Sequence, residues 1–179
     1  MAINPWSGHI TADKDAVNNK HRLKIFLKFH GDLKGVNALD IGAPNYISRN
    51  LHIEDNTHGD LNKGIKAPGN AYDVITCYEV LNHVQNHLTL VEGMRDLLKP
   101  GGKLYFSTPL LWLIPWYHGR GNYVELKKDR VKKLFEYAGF EVVRYEWHNP
   151  WPWFFIFYGI RPPFRYLFNR FQLWEFKKK

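Results

Sequence analysis

The chain has 179 residues, 45% of them hydrophobic and 16% aromatic, and a formal charge of +8. That length suits one domain with a sizeable core, and the charge attracts anions without choosing among nucleic acid, acidic headgroups and phosphorylated substrates. Cys77 is the only cysteine, which excludes an internal disulfide and favours a cytoplasmic setting. Met1 to Gly8 lacks the apolar centre of a signal peptide, and the longest apolar run, Trp151 to Ile160 with its Pro152, is too short to span a bilayer.

Residues 1 to 10 read as irregular. Thr11 or Asp13 is placed to cap a helix running towards Phe29, with Leu23, Phe26 and Leu27 on one face and Lys20, Lys24 and Lys28 on another. Gly31-Asp32 and then Gly35 end it. Ala38-Leu39-Asp40-Ile41 reads as a buried strand that stops at Gly42. A strand, an acid and a glycine ahead of a helix is how α/β folds open a nucleotide site. Gly42 permits backbone angles that other residues avoid and lets a ligand approach the main chain. Asp40 is placed to orient the loop or to hold a cationic ligand. Pro44 suits the first turn of a short helix bearing Ile47 and Leu51. A strand near Ile53 to Thr57 leads to His58-Gly59-Asp60-Leu61-Asn62, and Lys63 to Asn70 is a loop rich in Gly and Pro.

Tyr72 to Cys77 reads as a second buried strand, with Tyr78 and Glu79 at its carboxyl end. Asn86 is placed to cap a helix whose stripe is Leu90, Val91, Met94, Leu97 and Leu98. Lys99-Pro100-Gly101-Gly102 reads as a sharp stop and turn. Lys103 to Thr108 is a strand closed by Pro109, and residues 110 to 124 form a long aromatic loop. A helix from about Lys128 turns Val131, Leu134, Phe135 and Ala138 inward and stops at Gly139. Phe140 to His148 alternates as a strand, and Gln172 to Phe176 returns as an antiparallel last strand. Strands alternating with helices imply a mostly parallel sheet covered on both faces, with ligands at its carboxyl rim.

LDIG, then YDVITCYEVLNHV, then LLKPGGKLYFSTP, then LFEYAGFEVV, in that order and spacing, resembles class I S-adenosylmethionine-dependent methyltransferases over roughly Asn37 to Trp147. The resemblance implies an α/β, Rossmann-like three-layer sandwich. Its sheet is mostly parallel with an antiparallel last strand. Only 26 residues, 46 to 71, separate the first loop from Tyr72, so the sheet is expected to be trimmed by a strand at that edge. S-adenosyl-L-methionine is the cofactor implied. Position by position, Asp40, Gly42, Ala43 and Asn45 match the first motif. Asp60 stands 20 residues after Asp40, where an acid meets the ribose hydroxyls, and Asp60-Leu61 equally suits the acid that meets the adenine amine. Cys77, Tyr78 and Glu79 match the segment flanking the cofactor. The glycine-rich loop is reduced to Gly42-Ala43-Pro44-Asn45, and Asn82-His83 stands where the family has an acid and a histidine.

Methyl transfer needs the nucleophile held close, aligned and dry, so a dedicated base is not obligatory. His118 and His83 are the candidates for one, against readings as a loop histidine and a core or capping histidine. The resemblance implies that Trp6 and His9, ahead of the first helix, fold over the cofactor. His52, His58, His83 and His87 have no spacing with cysteine that suggests a zinc site, so no metal is expected. Residues 1–179 read as one domain with an aromatic and basic insertion at about 149–171. Residues 161 to 179 carry six basic groups and one acid. Such a mixture suits a membrane interface, base stacking or a lid, while Phe164, Leu167, Phe168 and Phe171 equally suit a packed helix face. The expected function is methyl transfer to a small-molecule or lipid- or saccharide-linked acceptor, with peripheral membrane contact through this segment. The alternative is a catalytically degenerate relative that binds RNA or an anionic membrane surface.

Overall fold

The structure is a computed structural model. It describes residues 12–43, 45–57, 59–65, 67, 69–111, 126–149, 153 and 169–179, with the backbone alone at 12–17, 111 and 169. The readings placed on Trp6, His9, Pro44, His58, His118, most of the aromatic loop and most of the 149–171 insertion lie outside these residues.

Among the described residues four α-helices and six strands follow in the order α1 (Ala12–His30), β1 (Ala38–Ile41), α2 (Tyr46–Asn50), β2 (Asp55–Thr57), β3 (Tyr72–Tyr78), α3 (His87–Leu97), β4 (Leu98–Leu111), α4 (Lys128–Tyr137), β5 (Phe140–His148) and β6 (Asn169–Lys178). The strands form one sheet in the order β2-β1-β3-β4-β6-β5. β2, β1, β3 and β4 are parallel, and β6 enters antiparallel between β4 and β5. The sheet ends at the three-residue β2, which is the trimmed edge the short 46–71 interval implies.

Alternation along the strands divides the core into two layers. Leu39, Ile41, Ile75, Cys77, Leu104, Phe106, Trp174 and Phe176 pack under α3 and α4 through Leu90, Val91, Met94, Val131 and Phe135. Ala38, Val74, Tyr78, Tyr105 and Leu173 pack under α1 and α2 through Phe26, Phe29 and Ile47. Phe135 and Phe176 stack at 4.2 Å, which locks α4 onto β6. Gly139 ends α4 at φ +92, as the C-terminal stop requires.

The structure departs from the sequence reading at several elements. On α1 the buried stripe is Phe26 and Phe29, while Leu27 is exposed. Asn86 precedes α3 without a side-chain cap; its carbonyl accepts from Leu90 N–H instead. Lys99-Pro100-Gly101-Gly102 is not a turn but a bulge inside β4: Tyr72 pairs with Leu98 and Val74 already pairs with Lys103. Pro109 does not close β4, which runs on to Leu111. The Ser107 carbonyl accepts from Glu79 N–H, so alternation turns the Pro109 nitrogen to the side where β3 has already ended. β6 is longer than Gln172 to Phe176, and Phe171 belongs to it as a strand residue rather than to a helix face. No helix among the described residues is long and apolar enough to cross a membrane.

Candidate functional site

β1 and β3 pair in register, Asp40 beside Thr76, and both stop at the same rim. The turn after β1 is made by Gly42 at φ +131. A Cβ there would lie 2.8 Å from Val80 Cγ2, so the turns after β1 and β3 approach as closely as they do only because the residue is glycine. Asn56 on β2 fixes this turn: its Nδ2 donates to the Gly42 carbonyl at 2.9 Å and to the Asp40 carbonyl at 3.3 Å. The Gly42 N–H donates to the Thr57 carbonyl at 2.9 Å.

Asp40 is buried. The Thr76 hydroxyl donates to its Oδ1 at 2.6 Å. Burial pushes the carboxyl up to about 6, and hydrogen bonds from Thr76, Ser48 and Asn56 work against that rise. Its carboxyl therefore braces the loop from inside the fold.

Beyond the turn, Ala43 is exposed. Asn45 is spent on α2: its Oδ1 accepts from the N–H groups of Ile47 and Ser48 at 2.8 and 3.1 Å, in a capping box with Ser48. Asp60 is exposed at the head of the short 3-10 turn Leu61–Lys63. It accepts from Asn62 N–H and pairs with Lys63 at 3.3 Å, a contact that holds its carboxyl below the usual range. Leu61 packs on the α3 layer. Asn62 ties this turn to the start of α3, its Oδ1 accepting from Gln85 and Asn86 N–H at 2.8 and 3.1 Å.

At the end of β3 the side chains of Cys77 and Tyr78 point into the two core layers, and both residues are buried. Burial pushes the Cys77 thiol well up. The Tyr78 hydroxyl donates to His30 Nε2 at 2.7 Å, because His30 Nδ1–H donates to the Gly31 carbonyl. Glu79 holds φ +58. Its Oε1 accepts from the Ser107 hydroxyl at 3.0 Å and lies 3.5 Å from Arg22 of α1. His83 is half-buried and sits 3.1 Å from Asn82 Nδ2. Among the described residues no group of three or more His, Cys, Asp or Glu could hold a metal.

The rim thus gathers the Gly42 turn, Ala43, and the main chain at Tyr78 and Glu79. It faces α1 through Arg22. Asn56, Thr76, Ser107 and Arg22 were not singled out from the sequence. Their positions follow from strand register and helix docking, which no local motif carries. A separate groove lined by Gly35, Asn37, His52 and Glu54 lies at the amino end of β1, the opposite edge. The rim residues fit the methyl donor that the resemblance implies in one testable respect. Gly42 is buried, its N–H and carbonyl taken by Thr57 and Asn56 and the space beside it by Val80, while Ala43 just beyond it is exposed to a ligand.

A family described as a methyltransferase domain matches residues 15–152. The ubiquinone biosynthesis O-methyltransferase of Shewanella pealeana is 36% identical over 78 residues, 43% of this chain and 29% of that protein. The enzyme of the same name from Paraburkholderia xenovorans is 51% identical over 43 residues, 24% of this chain and 18% of that protein. The chain therefore spans less than a third of either relative. In three dimensions the chain is similar to an S-adenosylmethionine-dependent methyltransferase from Mesorhizobium loti, with a TM-score of 0.65 at 15% identity over 92% of this chain and 99% of that one. It is also similar to phosphoethanolamine N-methyltransferase 2 of Haemonchus contortus in complex with S-adenosyl-L-methionine. There the TM-score is 0.62 at 14% identity over 89% of this chain and 52% of that one. At such identities the structural likeness speaks for the fold alone.

Proposed function

Because the chain belongs to the methyltransferase-domain family, we propose that it is an S-adenosylmethionine-dependent methyltransferase acting on a small-molecule or lipid- or saccharide-linked acceptor. The observation that carries this reading is the family match over 15–152, with a glycine turn ending β1 at the carboxyl rim of the sheet. The relatives' names favour oxygen as the methyl-accepting atom.

When bound, the cofactor supplies an electrophilic methyl on a sulfonium. This chain's own residues bind and orient. Ala43, exposed just past the buried Gly42 turn, offers main chain to the donor's amino-acid end, and Asp60 with Leu61 is assigned its ribose or adenine. The main chain of Cys77, Tyr78 and Glu79 flanks it. Asp40 and Asn45 act indirectly, Asp40 by bracing the turn and Asn45 by capping α2. His83 and His118 stay as candidates for taking up a proton from the acceptor.

Calorimetry of the purified chain with S-adenosylmethionine and S-adenosylhomocysteine tests the proposal. Binding of both at micromolar to submillimolar concentration is expected, and no heat at millimolar levels would refute it. Mass spectrometry of the freshly purified protein gives a second check, through cofactor carried along.

A further inference from the structure

A bulge in β5 decides which of its side chains face α1. Val142 packs on the α3 and α4 layer and pairs with Phe176, but the next pair joins Arg144, not Val143, to Glu175. Tyr145 then returns to the same layer as Val142. The extra residue sends Arg144, Glu146 and His148 to the opposite face. Strict alternation from Val142 would have turned these three onto the apolar layer. On the α1 side, Arg144 Nη1 donates to the Phe29 carbonyl at 3.1 Å, and its guanidinium lies 4.4 Å from the Phe29 ring centre.

The three residues form a chain of hydrogen bonds along the strand. Arg144 Nε donates to Glu146 Oε1 at 2.8 Å, and Glu146 Oε2 lies 2.8 Å from His148 Nε2. Burial raises the Glu146 carboxyl, but hydrogen bonds from Arg144 and His148 more than offset this and leave it below its ordinary range. A carboxylate only accepts, so His148 Nε2 carries the hydrogen and Nδ1 keeps a lone pair. The His148 side chain is 28% exposed, and among the described residues nothing hydrogen-bonds to Nδ1. His21 of α1 faces the pair. Burial holds His21 below its ordinary value, against a hydrogen bond to the Asn149 main chain, and His148 and Lys24 add to the fall.

Strand register puts His148 at the carboxyl rim, where Pro109, Phe171 and His148 stand side by side on β4, β6 and β5. The His148 and Phe171 ring centres are 5.9 Å apart. Arg22 lies 5.3 Å over Phe171 and 3.5 Å from Glu79, so contacts run along the rim from His148 to the end of β3. The pair of His52 and Asp32, by contrast, lies at the amino edge. An oxygen held over the end of β6 is one strand spacing, about 5 Å, from β4 on one side and β5 on the other. A base fixed by a second group, with a lone pair left over beside a binding rim, is the geometry that proton abstraction needs.

We propose that His148, oriented by Glu146, is the base that takes the proton from a hydroxyl acceptor during methyl transfer. The acceptor oxygen bonds to the methyl carbon as the carbon–sulfur bond breaks, and that bond's electron pair stays on sulfur. The O–H proton passes to His148 Nδ1. Glu146 stabilises the resulting imidazolium, which returns the proton to solvent. Glu146 is a positioning residue, fixing the ring and its tautomer, and Arg144 holds Glu146. The proposal rests on the methyl-transfer reading and adds to it a catalytic residue on β5.

The test compares two probes with the whole chain and S-adenosylmethionine, following methylated product by mass spectrometry. Catechol is a phenol with an ordinary pKa of about 10 and needs a base. 4-Nitrocatechol ionises far more readily and needs little help at about pH 9. The wild type is expected to methylate both. His148→Gln is expected to lower kcat on catechol about 100-fold with KM little changed. On 4-nitrocatechol at about pH 9 its loss is expected to stay under about 10-fold. Glu146→Gln is expected to cost about 10-fold on catechol and less on 4-nitrocatechol. A residue that merely held the rim together would depress both probes alike. S-adenosylhomocysteine affinity, measured by calorimetry, is expected to be the same in both variants as in the wild type, which also shows that they fold. Catechol turnover that survives His148→Gln, equal losses on the two probes, or no turnover of either probe by the wild type would overturn the proposal. If the wild type does not bind S-adenosylhomocysteine, the methyl-transfer reading itself falls. If it binds and His148→Gln turns over catechol as the wild type does, the base assignment falls alone.

Discussion

Gly42 illustrates how one residue controls the rim. Two separate penalties meet an alanine there: the clash with Val80 Cγ2 at 2.8 Å and the backbone state at φ +131. The first is removable, because Val80 is a side chain, and the second is not. Gly42→Ala is expected to cost about 1–3 kcal/mol. Gly42→Ala with Val80→Ala is expected to recover only the part due to the clash. Urea denaturation of the two variants measures both parts. A single variant as stable as the wild type would show that the turn does not need glycine. The same turn explains why Asn56 matters more than its place in a three-residue edge strand suggests. One amide holds the carbonyls of Asp40 and Gly42 together.

Among the elements, β4 shows most clearly what a sequence can and cannot tell. Its apolar core, Leu104 and Phe106, was legible from alternation, as were α4 from its Val131, Leu134 and Phe135 spacing and β5 from its alternating pattern. Lys99 to Gly102 was not, because Pro and two glycines read locally as a turn, and only the pairing with β3 shows the chain staying in the sheet. Gly102 is what makes the bulge fit: a Cβ there would lie 2.9 Å from the Lys99 carbonyl and 3.2 Å from the Asp73 carbonyl, both backbone. Gly102→Ala is therefore expected to cost about 2 kcal/mol or more, with no neighbouring side-chain truncation able to restore it. Thermal denaturation of Gly102→Ala, alone and with Leu98→Ala, checks this. At the candidate site, the Asp40 and Gly42 pattern marked the end of β1 and the turn after it, since a strand-end acid and glycine are local signals. The inward direction of Asp40, the burial of Cys77 and Tyr78 and the capping by Asn45 depend on what packs around them, and so did the Arg22 contact made from α1.

For the molecule as a whole, two buried titrating groups oppose one another. Asp40 is raised to about 6, so between about pH 4 and 6 the native state holds a proton that the unfolded chain has lost, and stability falls as pH rises. His30, among Phe26, Tyr78 and Tyr105, is lowered by burial to about 4. Between about pH 4 and 6.5 the unfolded chain holds the extra proton, and stability rises with pH. Each effect amounts to about 3 kcal/mol at its full extent. The windows overlap, so these two contributions largely offset one another, beside the rise with pH that His21 and His87, both lowered by burial, add. Asp40→Asn is expected to uncover the rise and His30→Gln the fall. Urea midpoints at half-unit steps from pH 4 to 7 measure both slopes, and a variant slope unchanged from that of the wild type would contradict the assignment.

The place of β6 has a consequence for how the protein is made. Translation delivers β4 and β5 first, yet neither pairs with the other, because the strand that joins them is synthesised after both. A nascent chain halted before Asn169 carries two bare strand edges side by side, and such edges invite pairing with other polypeptides. Biogenesis thus passes through a vulnerable interval that closes only when the ribosome has released the wedge.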